Sequence, residues 1–182
     1  MMPNVNDPTQ VTVTHVGPVF SVERLEWVTD AGTIVKDVMR HPGAVTVIGE
    51  LDDGRLVMIR NHRVAVGRPL LEFCAGKREP GEAPEDGARR ELEEETGYRA
   101  GRIDSIGRFY TSPGCSDELM HVFLARALQP VERRLEPGEE IDVVLLAPDR
   151  VRAAIADGEL EDGKSLAAFH LWASSVAHGG GE

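Results

Sequence analysis

The stretch from Gly76 to Tyr98, GKREPGEAPEDGARRELEEETGY, constrains this chain more than any other segment. It carries eight acidic and four basic residues, and its prolines and glycines mark the two ends of a helix of about three turns. Ala88 and Leu92 form the apolar stripe of that helix. Glu91 and Glu95 fall beside the stripe at about 100° per residue, so we expect both carboxylates to approach the protein core.

Two carboxylates four residues apart repel each other, and both resist the loss of water. A hard divalent cation such as Mg²⁺ relieves both costs, because it prefers oxygen ligands. The alternative interpretation is a solvated acidic helix, which is the usual meaning of a charge run.

The same stretch resembles the Nudix box, G-x5-E-x7-R-E-U-x-E-E-x-G-U, where U is a bulky aliphatic residue. Tyr98 stands at the last position, where an aliphatic residue is usual. The other eight specified positions match at the required spacing: Gly76, Glu82, Arg90, Glu91, Leu92, Glu94, Glu95 and Gly97. The resemblance implies an enzyme that hydrolyses a nucleoside diphosphate linked to a further group X.

The resemblance also implies roles for individual residues. Arg90 is expected to hold the glutamates by ion pairing, either with Glu94 or with Glu82. Mg²⁺ is the expected cofactor, with Mn²⁺ as a substitute, because clustered divalent ions neutralise a pyrophosphate and lower the pKa of a bound water. The expected metal ligands are the carboxylates of Glu91, Glu94 and Glu95 and the backbone carbonyl of Ala75.

Two features outside the box narrow the range of substrates that the resemblance implies. Pro113 lies 15 residues after Tyr98 in a Ser-Pro-Gly loop, and the lead-in from Leu71 to Gly76 resembles the L-E-x-P-A-G of the ADP-ribose pyrophosphatase subgroup. Cys74 replaces the usual proline of that lead-in. This resemblance implies hydrolysis of ADP-ribose to AMP and ribose 5-phosphate. The alternatives are a broader nucleoside-diphosphate-sugar hydrolase and a non-catalytic Nudix sensor that binds a nucleotide.

In that subgroup, the catalytic base is a glutamate on an acidic loop before a late strand. The corresponding loop here is 136–140, in which Glu139 is the first candidate and Glu140 and Glu136 are the fallbacks. The alternative for each is an ordinary solvated charge.

Three further residues are candidates for binding the substrate. Arg63 matches the subgroup's arginine that grips phosphate, a task that suits a planar bidentate donor. Glu118, in the same loop as Pro113, is a candidate for orienting substrate or metal. Trp27 is either an aromatic face for a nucleobase or an ordinary packing residue.

Composition limits the partners and the compartment. The chain has 182 residues, of which 41% are hydrophobic, and a formal net charge of −11. This size predicts one domain with a substantial core, and the charge argues against binding nucleic acid or anionic membranes. Cys74 and Cys115 show no metal-ligand spacing, so free thiols and a cytoplasmic location are expected. The sequence shows neither a signal-peptide pattern nor an apolar run long enough to span a membrane.

Periodicity predicts an α/β fold, a Nudix-like α/β/α sandwich with a mixed sheet, preceded by a small antiparallel β meander. The predicted parts are the meander at 1–42, the Nudix domain at 43–178 and a flexible tail at 179–182. Strands are expected at Val11–Val16, Phe20–Val28, Thr33–Met39, Ala44–Leu51, Arg55–Arg60, Leu70–Cys74, Ile103–Tyr110, Leu119–Ala127 and Ile141–Leu146, and the last two helices at Pro148–Ala156 and Leu160–Val176.

Two expectations concern packing. The alternation in Val11–Val16 predicts a half-buried strand, and the meander as a whole has few core residues, so it needs the rest of the domain or a second copy to pack on. The subgroup is typically a homodimer that exchanges this meander, which we expect here too. In the last helix, Leu166, Phe169, Ala173 and Val176 share one face, which predicts core or dimer packing.

Overall fold

Two β-sheets, one small and one large, form the framework of the molecule. A computed structural model of the chain describes residues 7–179. Residues 1–6 of the predicted meander and 180–182 of the predicted tail lie outside the described part. The first sheet contains β1 (Gln10–Val16), β2 (Ser21–Thr29) and β3 (Gly32–Arg40), all antiparallel. The predicted meander is therefore confirmed as an antiparallel sheet.

The second sheet has seven strands and carries the rest of the fold. Its main path is β10-β5-β4-β9-β8, with β6 paired to β5 and β7 paired to β4. The pair β4–β9 is parallel and the others are antiparallel, so the sheet is mixed, as predicted. Its strands are β4 (Ala44–Glu50), β5 (Leu56–Arg63), β6 (Arg68–Glu72), β7 (Cys74–Lys77), β8 (Tyr98–Tyr110), β9 (Leu119–Pro130) and β10 (Ile141–Leu146).

Helices cover both faces of this sheet, because neighbouring residues on each strand point to opposite sides. Helix α1 (Pro84–Glu91) packs on the face that carries Val47 and Ile59. Helices α2 (Pro148–Ala156) and α3 (Gly163–Gly179) pack on the face that carries Ile48 and Met58. The predicted α/β class is therefore confirmed, with one helix on one side and two on the other.

The acidic helix differs from the prediction in its last turn. The segment Leu92–Thr96 continues α1 as a π-helix rather than an α-helix. The Thr96 hydroxyl donates a 2.5 Å hydrogen bond to the Leu92 carbonyl, and Gly97 ends the helix with a positive φ of 71°. A π turn is frequent at functional sites. Ala88 and Leu92 are fully buried, as the predicted apolar stripe requires.

One expectation about burial is wrong for the single chain, and another holds for three residues of four. Strand β1 is exposed along its whole length rather than half-buried, and it is an edge strand of the small sheet. On α3, Leu166, Phe169 and Ala173 do pack on the core, but Val176 is 47% exposed. Trp172 takes a place in the core face that the predicted stripe omitted. Within residues 7–179, no helix is long and apolar enough to cross a membrane.

Packing of the acidic helix on the sheet can be tested by removing one side chain. Leu92 is completely buried, so Leu92→Ala leaves a cavity and should lower the free energy of unfolding by about 2–5 kcal/mol. Val64 is 89% exposed in the β5–β6 turn, so Val64→Ala is a matched control that should change stability by less than about 0.5 kcal/mol. Urea denaturation measures both values. Equal effects of the two substitutions would contradict the packing described.

Candidate active site

The acidic helix, the β7 strand, the end of β5 and the loop 136–140 surround one cleft. Its volume is about 540 Å³. The sheet supplies its floor and the acidic helix supplies one wall. The residues that line it are Val19, Asn61, Arg63, Ala75, Gly76, Lys77, Glu79, Pro80, Arg90, Glu91, Glu94, Glu95, Glu136 and Glu139.

Gly76 lets the helix approach the sheet at this cleft. A Cβ atom at position 76 would lie 1.9 Å from the carboxylate carbon of Glu91, a distance that no side chain can accept. The absence of a side chain on β7 therefore leaves room for the Glu91 carboxylate directly against the backbone.

Arg90 is the hub of the acidic cluster. Its guanidinium donates to both carboxylate oxygens of Glu82, at 2.9 and 3.1 Å, and to Glu91 at 2.7 Å and Glu94 at 3.0 Å. A fifth bond reaches the Lys77 carbonyl at 3.2 Å. The sequence left Glu94 and Glu82 as alternative partners of Arg90, and the structure pairs it with both. These carboxylates, Glu82 above all, raise the pKa of Arg90 above its ordinary value.

Glu91 and Glu95 are the two desolvated carboxylates of the cleft. The Ala75 N–H donates a 3.0 Å hydrogen bond to Glu95. Burial, followed by the charge of Glu91, raises the pKa of Glu95 to about 8. Burial also raises the pKa of Glu91, although its bond to Arg90 acts in the opposite direction. The two acids thus resist carrying full charge together unless a cation joins them.

This donor set fits a divalent cation in chemical type. It offers carboxylates and a backbone segment at Ala75, and hard cations take oxygen ligands. Within residues 7–179, no three acidic, histidine or cysteine side chains already converge on one point as ligands. Arg90 donates to one oxygen each of Glu91 and Glu94, and the Ala75 N–H donates to one oxygen of Glu95. These bonds leave the second oxygen of each carboxylate for a cation.

The loop 136–140 brings one glutamate into this cleft. Glu139 lines it, and its negative charge contributes to the raised pKa of both Glu91 and Glu95. Glu140 instead lines an adjacent cavity, which Glu139 also borders. Glu136 also lines the cleft, and its N–H donates a 2.9 Å hydrogen bond to the Glu139 carboxylate.

Hydrogen bonds attach the segment between β9 and this loop to the acidic helix. The Arg134 N–H donates to the Glu94 carbonyl at 3.2 Å, and the Val131 N–H donates to the Gly97 carbonyl at 2.9 Å. The position of Glu139 is therefore linked to the helix that carries the other carboxylates.

Arg63 lies at the cleft, as expected for a residue that meets the substrate. It also forms a bidentate pair with Glu72, with nitrogen–oxygen distances of 2.8 and 2.6 Å. Glu72 and its second partner Lys164 were not predicted as site residues from the sequence. A charged residue inside the apolar strand LLEFC was the available signal, because a buried charge requires a partner.

The three remaining candidates are not among the residues that line the cleft. Glu118 borders a neighbouring cavity together with Lys164 and accepts a 2.6 Å hydrogen bond from the Thr111 hydroxyl. Pro113 is exposed and is not among the residues that line the described cavities near the cleft. Trp27 lies on β2 in the small sheet and is 6% exposed, also outside the cleft lining. Its proposed stacking on a nucleobase stays a prediction.

Comparison with known proteins identifies the family of this fold and cleft. The family model described as the NUDIX domain matches residues 39–169, which include the acidic helix and every residue of the cleft lining except Val19. The chain belongs to the Nudix family.

Individual relatives of this Nudix protein carry several activity names. It is 41% identical over 136 residues to an ADP-ribose pyrophosphatase of Bacillus subtilis (strain 168), and these residues are 74% of each chain. It is 36% identical over 138 residues to a methanol dehydrogenase activator of Bacillus methanolicus, 75% of each chain. It is 32% identical over 166 residues to a GDP-mannose pyrophosphatase of Yersinia pestis (strain Pestoides F), covering 81% of this chain and 83% of the relative.

A solved structure shares the Nudix fold over almost the whole chain. It is described as the crystal structure of an ADP compounds hydrolase, with a TM-score of 0.83. The match covers 96% of this chain and 95% of the other at 22% identity, a likeness that concerns the fold. The predicted fold and family resemblance are both confirmed.

The raised pKa of Glu95 predicts a pH dependence of stability. Its ordinary pKa is 4.5 and its folded value is about 8, so the folded state binds more protons between these values. Stability without a divalent cation should therefore fall as the pH rises from about 4.5 to about 8. Glu95→Gln should weaken this fall, measured as the free energy of unfolding in urea with EDTA.

Glu85→Gln is the matched control, because Glu85 is an exposed carboxylate of the same helix. It should keep the wild-type slope of stability against pH. A Glu95→Gln variant with the full wild-type slope would refute the assignment of this titration to Glu95.

Proposed function

We propose that this chain is a divalent-cation-dependent Nudix hydrolase that cleaves the pyrophosphate bond of ADP-ribose, with water, into AMP and ribose 5-phosphate. The observation that carries this proposal is the arrangement of one cleft. Glu91 and Glu95 lie desolvated on one wall, and Glu139 faces them from the loop 136–140. The relative described as an ADP-ribose pyrophosphatase, at 41% identity, supports this substrate.

The carboxylates of Glu91, Glu94 and Glu95 and the carbonyl of Ala75 would hold the cation, for which we propose Mg²⁺ or Mn²⁺. When bound there, such a cation neutralises charge on the diphosphate and lowers the pKa of a coordinated water. Arg90 keeps the carboxylates at the cleft wall by its bonds to Glu91 and Glu94. The surplus of carboxylates explains why an anionic diphosphate needs a cation in order to bind here.

Glu139 is the proposed general base. It lines the cleft without belonging to the acidic helix, so it can accept a proton from the attacking water while the helix carboxylates serve as ligands. Arg63 is the proposed phosphate-binding cation, since it lines the same cleft and its planar fork suits phosphate oxygens. Glu118, Pro113 and Trp27 remain proposed contacts of the rest of the substrate.

A second candidate function is the hydrolysis of nucleoside diphosphate sugars in general. The relative described as a GDP-mannose pyrophosphatase, at 32% identity, supports this broader activity. A non-catalytic nucleotide sensor is a weaker candidate, because mere binding would not require the full set of Arg90, Glu91, Glu94 and Glu95.

We also propose a cytoplasmic homodimer of two parts, 1–42 and 43–178, that binds neither nucleic acid nor membranes. The net charge of −11 supports the lack of affinity for polyanions. Register places Val11 opposite Leu25 and Trp27 opposite Ile34 on one face of the small sheet, where Val11 is exposed. Trp27 on this face is buried, but Val11 and Ile34 are exposed, and exposed apolar side chains of this kind support association with a second copy.

A substrate panel tests the proposed function. It contains ADP-ribose, ADP-glucose, GDP-mannose, diadenosine polyphosphates and 8-oxo-dGTP, each with and without Mg²⁺. We expect kcat/KM to be highest for ADP-ribose and turnover to require the cation. Similar kcat/KM for every diphosphate sugar would favour the broader hydrolase, and no turnover of any compound would favour the sensor.

Substitution of Glu139 and of Glu140 shows which of these two neighbouring residues is the general base. Glu139→Gln should lower kcat by about 10²–10⁴-fold while leaving cation affinity near wild type, because its carboxylate accepts a proton rather than binding the cation. Glu140→Gln is the matched control and should change kcat by less than about threefold, since Glu140 borders the adjacent cavity. Steady-state kinetics and calorimetric Mg²⁺ titration measure the two effects. The opposite ranking would place the base at Glu140.

A further inference from the structure

A charge network lies beside the cleft, and of its members only Arg63 has a role in the proposed hydrolysis. Glu72, the last residue of β6, is completely buried. Its carboxylate accepts two hydrogen bonds from Arg63, at 2.8 and 2.6 Å, and one from the Lys164 ammonium at 2.5 Å. Two cations from separate elements, β5 and α3, thus share one acid.

The hydrogen bonds from Arg63 to Glu72 occupy only some of the N–H donors of its guanidinium. Its Nε and one Nη2 hydrogen point to Glu72, which uses one side of the planar guanidinium. The guanidinium carries five N–H donors, so Nη1 and the second Nη2 hydrogen form another edge that can receive a bidentate anion. The Arg63 side chain is 37% exposed and lines the cleft with Glu91 and Glu95. Glu72 therefore fixes the plane of the fork without using the edge that suits a phosphate.

Lys164 forms ion pairs with two carboxylates, those of Glu72 and Asp162. Its side chain is 14% exposed and bonds Asp162 at 2.8 Å. Ser165 donates to Asp162 through both its N–H and its hydroxyl, and the Phe73 N–H donates to the Ser165 hydroxyl at 2.9 Å. The first turn of α3 is thereby joined to β6 at the residue next to Glu72.

The charges of this network explain why Lys164 matters to Arg63. Arg63 and Lys164 carry two positive charges, and Glu72 and Asp162 carry two negative charges, so the four side chains sum to zero. Without Lys164, the set would carry a net negative charge beside the phosphate site. Glu72 would also lose one of its two cationic partners, and the orientation of the guanidinium would be less restricted.

We propose that Lys164, acting through Glu72, is a positioning residue that holds the free edge of Arg63 toward a phosphate of the substrate. The proposal rests on the proposed function of the cleft, and it assigns to α3 a role in binding the nucleoside diphosphate. Lys164 and Arg63 also border one neighbouring cavity together, which places both cations on the same side of the molecule.

Binding of a non-hydrolysable analogue, α,β-methylene ADP-ribose, with Mg²⁺ tests this role by calorimetry without turnover. Lys164→Gln should raise the Kd of the analogue, and the KM of ADP-ribose, by about five- to twentyfold, with kcat within about twofold. Lys164→Arg should restore most of the affinity, because it returns the charge. Arg68→Gln is the matched control. Arg68 on β6 forms an exposed ion pair with Glu161, just before α3, so this substitution should leave Kd unchanged.

A double substitution separates positioning from direct contact. If Lys164 acts through Arg63, Lys164→Gln should weaken binding no further in an Arg63→Gln background. The same fold-loss in both backgrounds would mean that Lys164 meets the substrate itself, and it would overturn the proposal. So would a Lys164→Gln variant with a lowered Tm but a wild-type Kd. If the wild-type protein neither binds the analogue nor cleaves ADP-ribose, the proposed function fails, and this role fails with it.

Discussion

The burial of two carboxyl groups side by side is the constraint on which the rest of the structure depends. Glu91 and Glu95 belong to one helix, and both carboxylates lose water when Leu92 packs that helix on the sheet. Their repulsion is tolerated because neighbouring groups compensate it: Arg90 binds Glu91, and the Ala75 N–H binds Glu95. Removing Leu92, Arg90 or the open backbone at Gly76 would disturb the same pair of acids. The cleft is thus a place where the fold keeps negative charge available for a cation.

Much of the fold and the acidic side of the site could be predicted from local pattern. Strand β10 (Ile141–Leu146) and helix α2 (Pro148–Ala156) have their predicted bounds, because polar or proline-containing segments delimit them. Glu91 and Glu95 could be located because a helix fixes the relation of residues four apart. The family could be named from the spacing of the box, and the NUDIX domain match to residues 39–169 confirms it.

What could not be predicted is either non-local or a matter of loop conformation. Glu72 and Lys164 are 92 residues apart, and no periodicity relates them. Glu139 and Glu140 are neighbours, so only the backbone of their loop decides which one lines the cleft. The exposure of β1 and of Val176 depends on what packs against them, and the pattern of a single element does not contain that information.

The geometry divides the work of the site between two kinds of charge. Carboxylates of the acidic helix would bind the cation, and Arg63, oriented by its hydrogen bonds to Glu72, would bind the phosphate. A crystal structure with Mg²⁺ and α,β-methylene ADP-ribose tests this account most directly. It should place a cation between Glu91 and Glu95, with the diphosphate between that cation and Arg63 and with Glu139 facing a water at the scissile phosphorus. Density for the analogue outside this cleft, or a cation bound away from both glutamates, would contradict the account.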